Sequence, residues 1–159
     1  MIRDIFISAG PVISVHVLAA VLSTVLGPFV LYRRSRDIWH RSLGVVWVLA
    51  MFVLAVSSLF IHEARMFGAF SIIHVLSLLT LAGLAQGLWA LYQGRRRQHG
   101  RIMRLLYVQA LILAGIFTFL PGRRMSAMLF PDAPMVGFVA VMAVGLVAAL
   151  LIWRDRPRA

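Results

Sequence analysis

Five apolar runs constrain this chain more than any other feature of its sequence. A helix needs roughly 20 mostly apolar residues to cross the hydrocarbon core of a bilayer. Hydrophobic residues make up 62% of the 159 residues, and only 13% are charged. A chain of this length cannot bury so much apolar surface in an aqueous core, so lipid must be its solvent. The predicted spans are Pro11–Tyr32, Ser42–Ile61, Phe70–Tyr92, Leu105–Leu120 and Met135–Trp153.

Three segments lie outside these runs or extend them. The start, Met1–Gly10, leads into an apolar stretch too long for a signal peptide, so we expect it to remain as part of a spanning helix. The fourth run is short, and its helix is predicted to begin upstream near His99 with its arginines reaching into the interface. The loop 121–134 is predicted to be interfacial, with Asp132 and Pro134 starting the fifth helix.

The basic residues predict the orientation of the chain. All sixteen are arginines, the net charge is +11, and they cluster between apolar runs, which favours membrane contact over nucleic-acid binding. Twelve lie on one predicted side and four on the other. The richer side should be cytoplasmic, so the N-terminus should lie outside and the C-terminus should lie in the cytoplasm. The twelve are Arg33, Arg34, Arg36, Arg41, Arg95, Arg96, Arg97, Arg101, Arg104, Arg154, Arg156 and Arg158.

The first two helices resemble the next two. Each half opens with His-Val-Leu, reaches Leu-Tyr at its inner end, and runs through arginines to a histidine. Both halves start outside, so we predict a parallel repeat about an axis along the membrane normal. The predicted architecture is an all-α, polytopic membrane bundle in one domain, 1–159. Its four-helix core is a duplicated hairpin, about 11–62 and 70–121, and a fifth helix covers about 134–153.

Four histidines lie at two membrane levels, with one from each half at each level. His16 and His74 lie near the outer ends of the first and third helices, and His40 and His99 lie at the inner ends of the second and fourth. The levels are separated by roughly 24 Å, which excludes one shared metal cluster. Two facing pairs, His16 with His74 and His40 with His99, would suit the axial positions of two b-type haems.

Five arginines could accompany these histidines as partners of the haem propionates. Arg41, Arg101 and Arg104 are candidate propionate partners of an inner haem, and Arg123 and Arg124 of an outer one. The alternative is that these arginines only set the orientation, and that the histidines reach water or bond a neighbouring helix. His62 has no counterpart in the second half and is excluded from the ligand set, since with Glu63 it supplies too few ligands for zinc or copper.

Several stretches resemble a family of small bacterial integral membrane proteins of unknown function. They are HRSLGVVWVLAMFVLAVSSLFI, GAFSIIHVLSLLTL and HGRIMRLLYVQALILAGIFTFLPGR, within a region from about His16 to Arg123. The resemblance implies a membrane protein and no particular activity.

The order of the histidines also resembles that of transmembrane di-haem cytochromes of the b561 type. In that family four consecutive helices carry one histidine each, and the first pairs with the third and the second with the fourth. His16, His40, His74 and His99 follow that order. The spacings here are shorter, only one further helix is present, and no ascorbate-site motif is evident.

Three functions remain open from the sequence. The first is a transmembrane carrier with two b-type haems, passing electrons between the membrane faces, with quinol or a periplasmic redox protein as partner. The second is a haem-free accessory or assembly subunit of a larger membrane complex, or a homodimer. The third is a small transporter, which the lack of a charged residue at mid-membrane disfavours. A hydrolase or transferase is disfavoured because all five acidic residues lie in loops or at termini. The chain has no cysteine, which excludes disulfides, thiolate metal sites and covalent haem attachment.

Overall fold

A computed structural model gives the fold of this chain. The structure describes residues 2–33, 35–61, 72–109, 115, 118–122, 126–127, 130–140, 142–143 and 146, with the side chains of 2–9 and 72 excepted. The chain divides into two compact units, Met1–Ala110 and Leu111–Ala159. Across the described residues the structure is helical and contains no strand, which confirms the predicted fold class.

Four helices build the first unit: α1 (Ile2–Leu31), α2 (Ile38–Ser58), α3 (Ile72–Tyr92) and α4 (Arg96–Leu106). Within the described part of the chain, three segments are long and apolar enough to cross a membrane by length and composition: Gly10–Leu31, Ile38–Ser58 and Ile73–Tyr92. They match the first three predicted spans to within a few residues. The total of five stays a prediction, because much of the fourth and fifth runs lies outside the described residues.

Two helix beginnings differ from or refine the sequence-based bounds. The second helix begins at Ile38, four residues before the predicted start, because the carboxylate of Asp37 accepts the backbone N–H of His40 and caps the helix. The fourth begins at Arg96, which confirms its predicted upstream start near His99. It continues into a π-helical turn at Tyr107–Gln109.

A glycine with positive φ marks each of two breaks in the helices. Gly10 (φ 79°) separates the first turns of α1 from the membrane-spanning part that follows Pro11. Gly94 (φ 74°) ends α3 with two bonds, from its own N–H to Leu91 and from the N–H of Arg95 to Ala90. This pair of bonds is the Schellman pattern, which satisfies the last carbonyls of a helix and reverses the chain. The reversal places α4 directly against α3.

The helices neighbour one another in the order α1–α2–α3–α4, with a further contact between α1 and α4. The polarity of this bundle is inverted relative to a soluble protein. Leu18 and Phe29 are 61% and 64% exposed, whereas Ser23 is fully buried and Ser58 nearly so. A surface of large apolar side chains around a partly polar interior is expected when lipid is the solvent.

Glycines let α4 approach its two neighbours closely. Gly83 and Gly87, one turn apart on α3, receive the side chains of Leu106 and Met103, and a Cβ at either glycine would overlap them. Gly27 on α1 receives the ring of Tyr107 in the same way. Small residues spaced four apart are the usual means of close helix packing in membranes.

A proline in α1 creates a hydrogen-bonding need that Tyr107 meets. Pro28 has no N–H, so the carbonyl of Thr24, four residues earlier, has no helical donor. The phenol of Tyr107 donates to that oxygen at 3.2 Å. The neighbouring carbonyl of Ser23 accepts the indole N–H of Trp47 on α2 at 3.0 Å. Two aromatic donors therefore fasten α2 and α4 to the same turn of α1.

In the second unit, described residues 134–140 form a helix that begins at Pro134, as predicted. The N–H of Gly137 donates to Ala133, which places the proline at the first helical position, where its missing N–H is harmless. The ring of Phe130 covers Gly137 and meets Phe119 edge to face at 6.5 Å between centroids.

We predict that Gly27→Ala lowers the free energy of unfolding in detergent by about 1–3 kcal/mol, because the new methyl group displaces the Tyr107 ring. Gly44→Ala is the matched control, since a Cβ there meets only Val30 at an ordinary 3.8 Å. Equal effects of the two variants would show that the close approach at Gly27 is unimportant.

We predict that Tyr107→Phe costs about 1 kcal/mol of unfolding free energy, because it leaves the Thr24 carbonyl without a donor inside the membrane. Pro28→Ala returns a helical N–H to that carbonyl, so the same phenylalanine substitution should cost less in the Pro28→Ala background. The coupling is measured by a double-mutant cycle. Tyr92→Phe, at a residue 83% exposed, is the control and should have no effect.

Candidate functional site

A cavity of about 620 Å³ lies where α1 and α3 end and α2 and α4 begin. Apolar side chains, among them Trp47, Leu88 and Met103, form much of its wall. We call it the arginine cavity after its polar lining, which consists of His40, His99, Arg36, Arg41, Arg96 and Arg104. The structure therefore brings together the two histidines predicted to pair at the inner level.

Both ring nitrogens of His40 are engaged. Nδ1 lies 3.1 Å from the carbonyl oxygen of Val30, and Nε2 lies 3.0 Å from Nη1 of Arg36. A carbonyl can only accept and a guanidinium can only donate. The ring is therefore neutral, with its proton on Nδ1 and the lone pair of Nε2 directed at Arg36.

His99 makes the equivalent bond in the second hairpin. Its Nδ1 donates to the carbonyl of Gly87 on the preceding helix at 2.8 Å, as His40 donates to Val30. In each hairpin, a histidine near the start of the second helix thus ties it to the last turns of the first. An Nδ1–H held by a carbonyl leaves Nε2 as the free electron-pair donor, which is the usual arrangement of a metal-ligating histidine.

The two histidines predicted at the outer level, His16 and His74, have a different setting. Nδ1 of His16 lies 3.0 Å from the hydroxyl of Ser57 on α2, and that hydroxyl donates to the carbonyl of Leu54 at 3.1 Å. Nδ1 of His16 is therefore also the donor. His74 on α3 is buried. The described bond of His16 thus goes to α2, and the predicted pairing of His16 with His74 stays a prediction.

Hydroxyl groups line the seam between α2 and α3. The hydroxyl of Ser58 contacts that of Ser77, and both also bond carbonyls of their own helices. The hydroxyl of Thr80, one turn beyond Ser77, also donates to a carbonyl of its own helix, that of Leu76. These local bonds satisfy polar groups that have no access to water, so the seam forms a neutral, polar interior.

Only some of the predicted propionate partners lie in the arginine cavity. Arg41 and Arg104 line it, whereas Arg101 is exposed and does not. Arg36 and Arg96 line it as well and were not selected from the sequence. The sequence offered one indication for Arg36, because residues four positions apart near a helix start can contact each other, and Arg36 precedes His40 by four residues. The predicted outer partners, Arg123 and Arg124, lie outside the described residues, as does His62.

The charge of the arginine cavity is not balanced by acidic residues. Among the residues that the structure describes, four guanidinium groups line it and no carboxylate does. The nearest acid in sequence, Asp37, forms an ion pair with Arg33 in the connection between α1 and α2. The hydrogen bond from Arg33, with that from the backbone N–H of His40, holds the pKa of Asp37 well below its usual range. The site therefore suits a ligand with negative groups and a large apolar body.

Comparison with known proteins identifies the family. A family model described as "Predicted membrane protein (DUF2306)", a domain of unknown function, matches residues 13–153. The chain belongs to this family. The match confirms the resemblance to an uncharacterised membrane family and does not extend to cytochromes of the b561 type. No curated protein and no solved structure matches this chain.

We predict that Asp37→Asn flattens the acid dependence of stability. The depressed pKa means that the unfolded carboxyl binds a proton at higher pH than the folded one. The stabilisation that the ion pair contributes is therefore complete above about pH 4 and declines as the pH falls towards the lower pKa of the folded protein. Thermal unfolding in detergent between about pH 6 and pH 3 should show a smaller drop for the variant than for the wild type. Parallel curves would contradict this assignment.

Proposed function

We propose that this chain is a b-type cytochrome of the bacterial cytoplasmic membrane, with its N-terminus outside, that passes electrons between the two membrane faces. The observation that carries the proposal is the arginine cavity, where His40 and His99 line one apolar space beside four arginines. We further propose a second haem at the outer level between His16 and His74. Quinol or a periplasmic redox protein would then be the partner.

The donor set and the dimensions of the arginine cavity fit a b-type haem. The volume of about 620 Å³ lies within the range of pockets that hold cofactors and similarly sized ligands. Both histidines keep their proton on Nδ1, so Nε2 is the nitrogen that would bind iron, and in His40 it would first have to be released by Arg36. The apolar walls suit a macrocycle, and the arginines suit its two carboxylates.

Each residue of the cavity has a defined task in this proposal. His40 and His99 would hold a b-type haem, which would supply reversible one-electron transfer. The carbonyls of Val30 and Gly87 fix the tautomer and the orientation of the two imidazoles. Arg41, Arg96 and Arg104 would neutralise its carboxylates at the cavity wall. Trp47 and Met103, nearly completely buried, exclude water from the apolar part.

A haem-free accessory subunit of a larger membrane complex is the second candidate. One observation favours it: His40 and His99 each close a hairpin by a hydrogen bond, and that role needs no cofactor. The two candidate functions predict different colours for the purified protein and different co-purifying proteins. A haem-free subunit would be colourless and would co-purify with other proteins from mild detergent.

We predict that the full chain, purified from cells supplied with haem, shows the α-band of a reduced b-type haem after addition of dithionite. His99→Ala should remove the inner haem and about half of the absorbance, and His16→Ala should remove the other half. His62→Ala is the matched control, because His62 is outside the proposed ligand set, and its spectrum should equal that of the wild type.

A colourless wild-type protein would overturn the cytochrome proposal and favour the accessory subunit. Loss of colour in His99→Ala but not in His16→Ala would restrict the proposal to one haem in the arginine cavity. Circular dichroism of each variant separates loss of haem from loss of fold, since the helical signal should be unchanged.

A further inference from the structure

The two histidines of the arginine cavity differ in one respect. His40 and His99 both donate from Nδ1 to a carbonyl of the preceding helix. The Nε2 lone pair of His40 is held by Arg36 at 3.0 Å, whereas the described hydrogen bonds of His99 involve only Nδ1. A lone pair that accepts a hydrogen bond is not available to a metal. His99 is therefore ready to ligate, and His40 is not.

We propose that Arg36 is a gate on His40, so that the arginine cavity alternates between one available histidine and two. This inference rests on the proposed function and concerns the regulation of the same site. In the closed form, Nη1 of Arg36 donates to Nε2 of His40. In the open form, that hydrogen bond is broken and Nε2 is free for an axial bond. No proton is transferred, because the Nδ1 proton stays on the imidazole of His40, which donates it to the carbonyl of Val30 in both forms.

The position of Arg36 allows this exchange at little cost. The residue is exposed and lies in the short connection before α2, outside any helix. Its neighbours Arg33 and Asp37 bind each other, so Asp37 does not compete for it. Arg36 also lines the cavity, where a carboxylate of a bound ligand would be a stronger partner than a neutral imidazole. Entry of a dicarboxylate ligand would thus draw Arg36 away and release His40.

The gate can be tested without haem by acylation of the imidazoles. Diethyl pyrocarbonate reacts with the unprotonated nitrogen of neutral histidine, and the extent at each residue is read by peptide mass spectrometry. In the purified full chain in detergent, without haem, we expect His40 to react several-fold more slowly than His99. Arg36→Ala should raise the rate at His40 several-fold and leave the rate at His99 unchanged.

Arg41→Ala is the matched control for the loss of positive charge. Arg41 lines the same cavity, and no hydrogen bond joins it to either histidine among the described contacts. The control should leave the ratio of the His40 and His99 rates as in the wild type. An unchanged ratio in Arg36→Ala would overturn the gate, and so would an equal change in both variants.

Haemin titration of the same three proteins measures the consequence for binding. We expect the wild type to pass from a high-spin to a low-spin spectrum as the cavity fills, and Arg36→Ala to be low-spin from the first additions. Arg41→Ala should bind more weakly with the wild-type course of spectra. A high-spin phase that persists in Arg36→Ala would count against the gate. If no protein binds haemin, the cytochrome proposal fails, and the acylation ratio still decides whether Arg36 holds His40.

Discussion

Water is absent from the interior of a bilayer, and each polar group of a spanning helix must therefore find its partner within the protein. Most of the buried hydroxyls described in the bundle meet this constraint. Ser57, Ser58 and Thr80 donate to carbonyls of their own helices, whereas the hydroxyl of Ser23 has no hydrogen-bond partner among the described residues. The carbonyl that Pro28 leaves without a donor accepts the phenol of Tyr107 from α4. A local defect in one helix thereby becomes a specific contact between the two hairpins, and Gly27 provides the space that the contact needs.

The same constraint explains the double character of His40 and His99. A neutral imidazole has one N–H group that needs a hydrogen-bond acceptor and one nitrogen whose lone pair can bind a ligand. Bonding Nδ1 to a carbonyl of the preceding helix closes the hairpin and fixes the tautomer in a single contact. Structural and ligand roles are therefore compatible, because they employ opposite nitrogens of the ring. The same bond occurs in both hairpins, and the duplication itself stays a prediction.

Neutral polar groups and charged groups occupy different parts of the bundle. The neutral hydroxyl seam between α2 and α3 holds Ser58, Ser77 and Thr80, whereas four guanidinium groups lie together around one cavity at the end of the bundle. Arginines tolerate this position because long side chains reach the interface from within the bilayer. Without carboxylates among its lining residues, the cavity retains a positive potential. This potential is the physical basis for expecting an anionic ligand there.

The sequence by itself determined the solvent of this protein, its helical class and its first three spans, because a run of about 20 apolar residues has few alternatives. It also predicted histidines at two levels, from the rise of a helix per residue, and this stays a prediction. It did not reveal that Arg36 holds His40, that Ser57 receives His16, or that Tyr107 serves the carbonyl freed by Pro28. Those contacts depend on how the helices are rotated and packed. Only the tertiary structure decided them, because a helix with apolar residues on all sides has no pattern that shows which side packs against its neighbours.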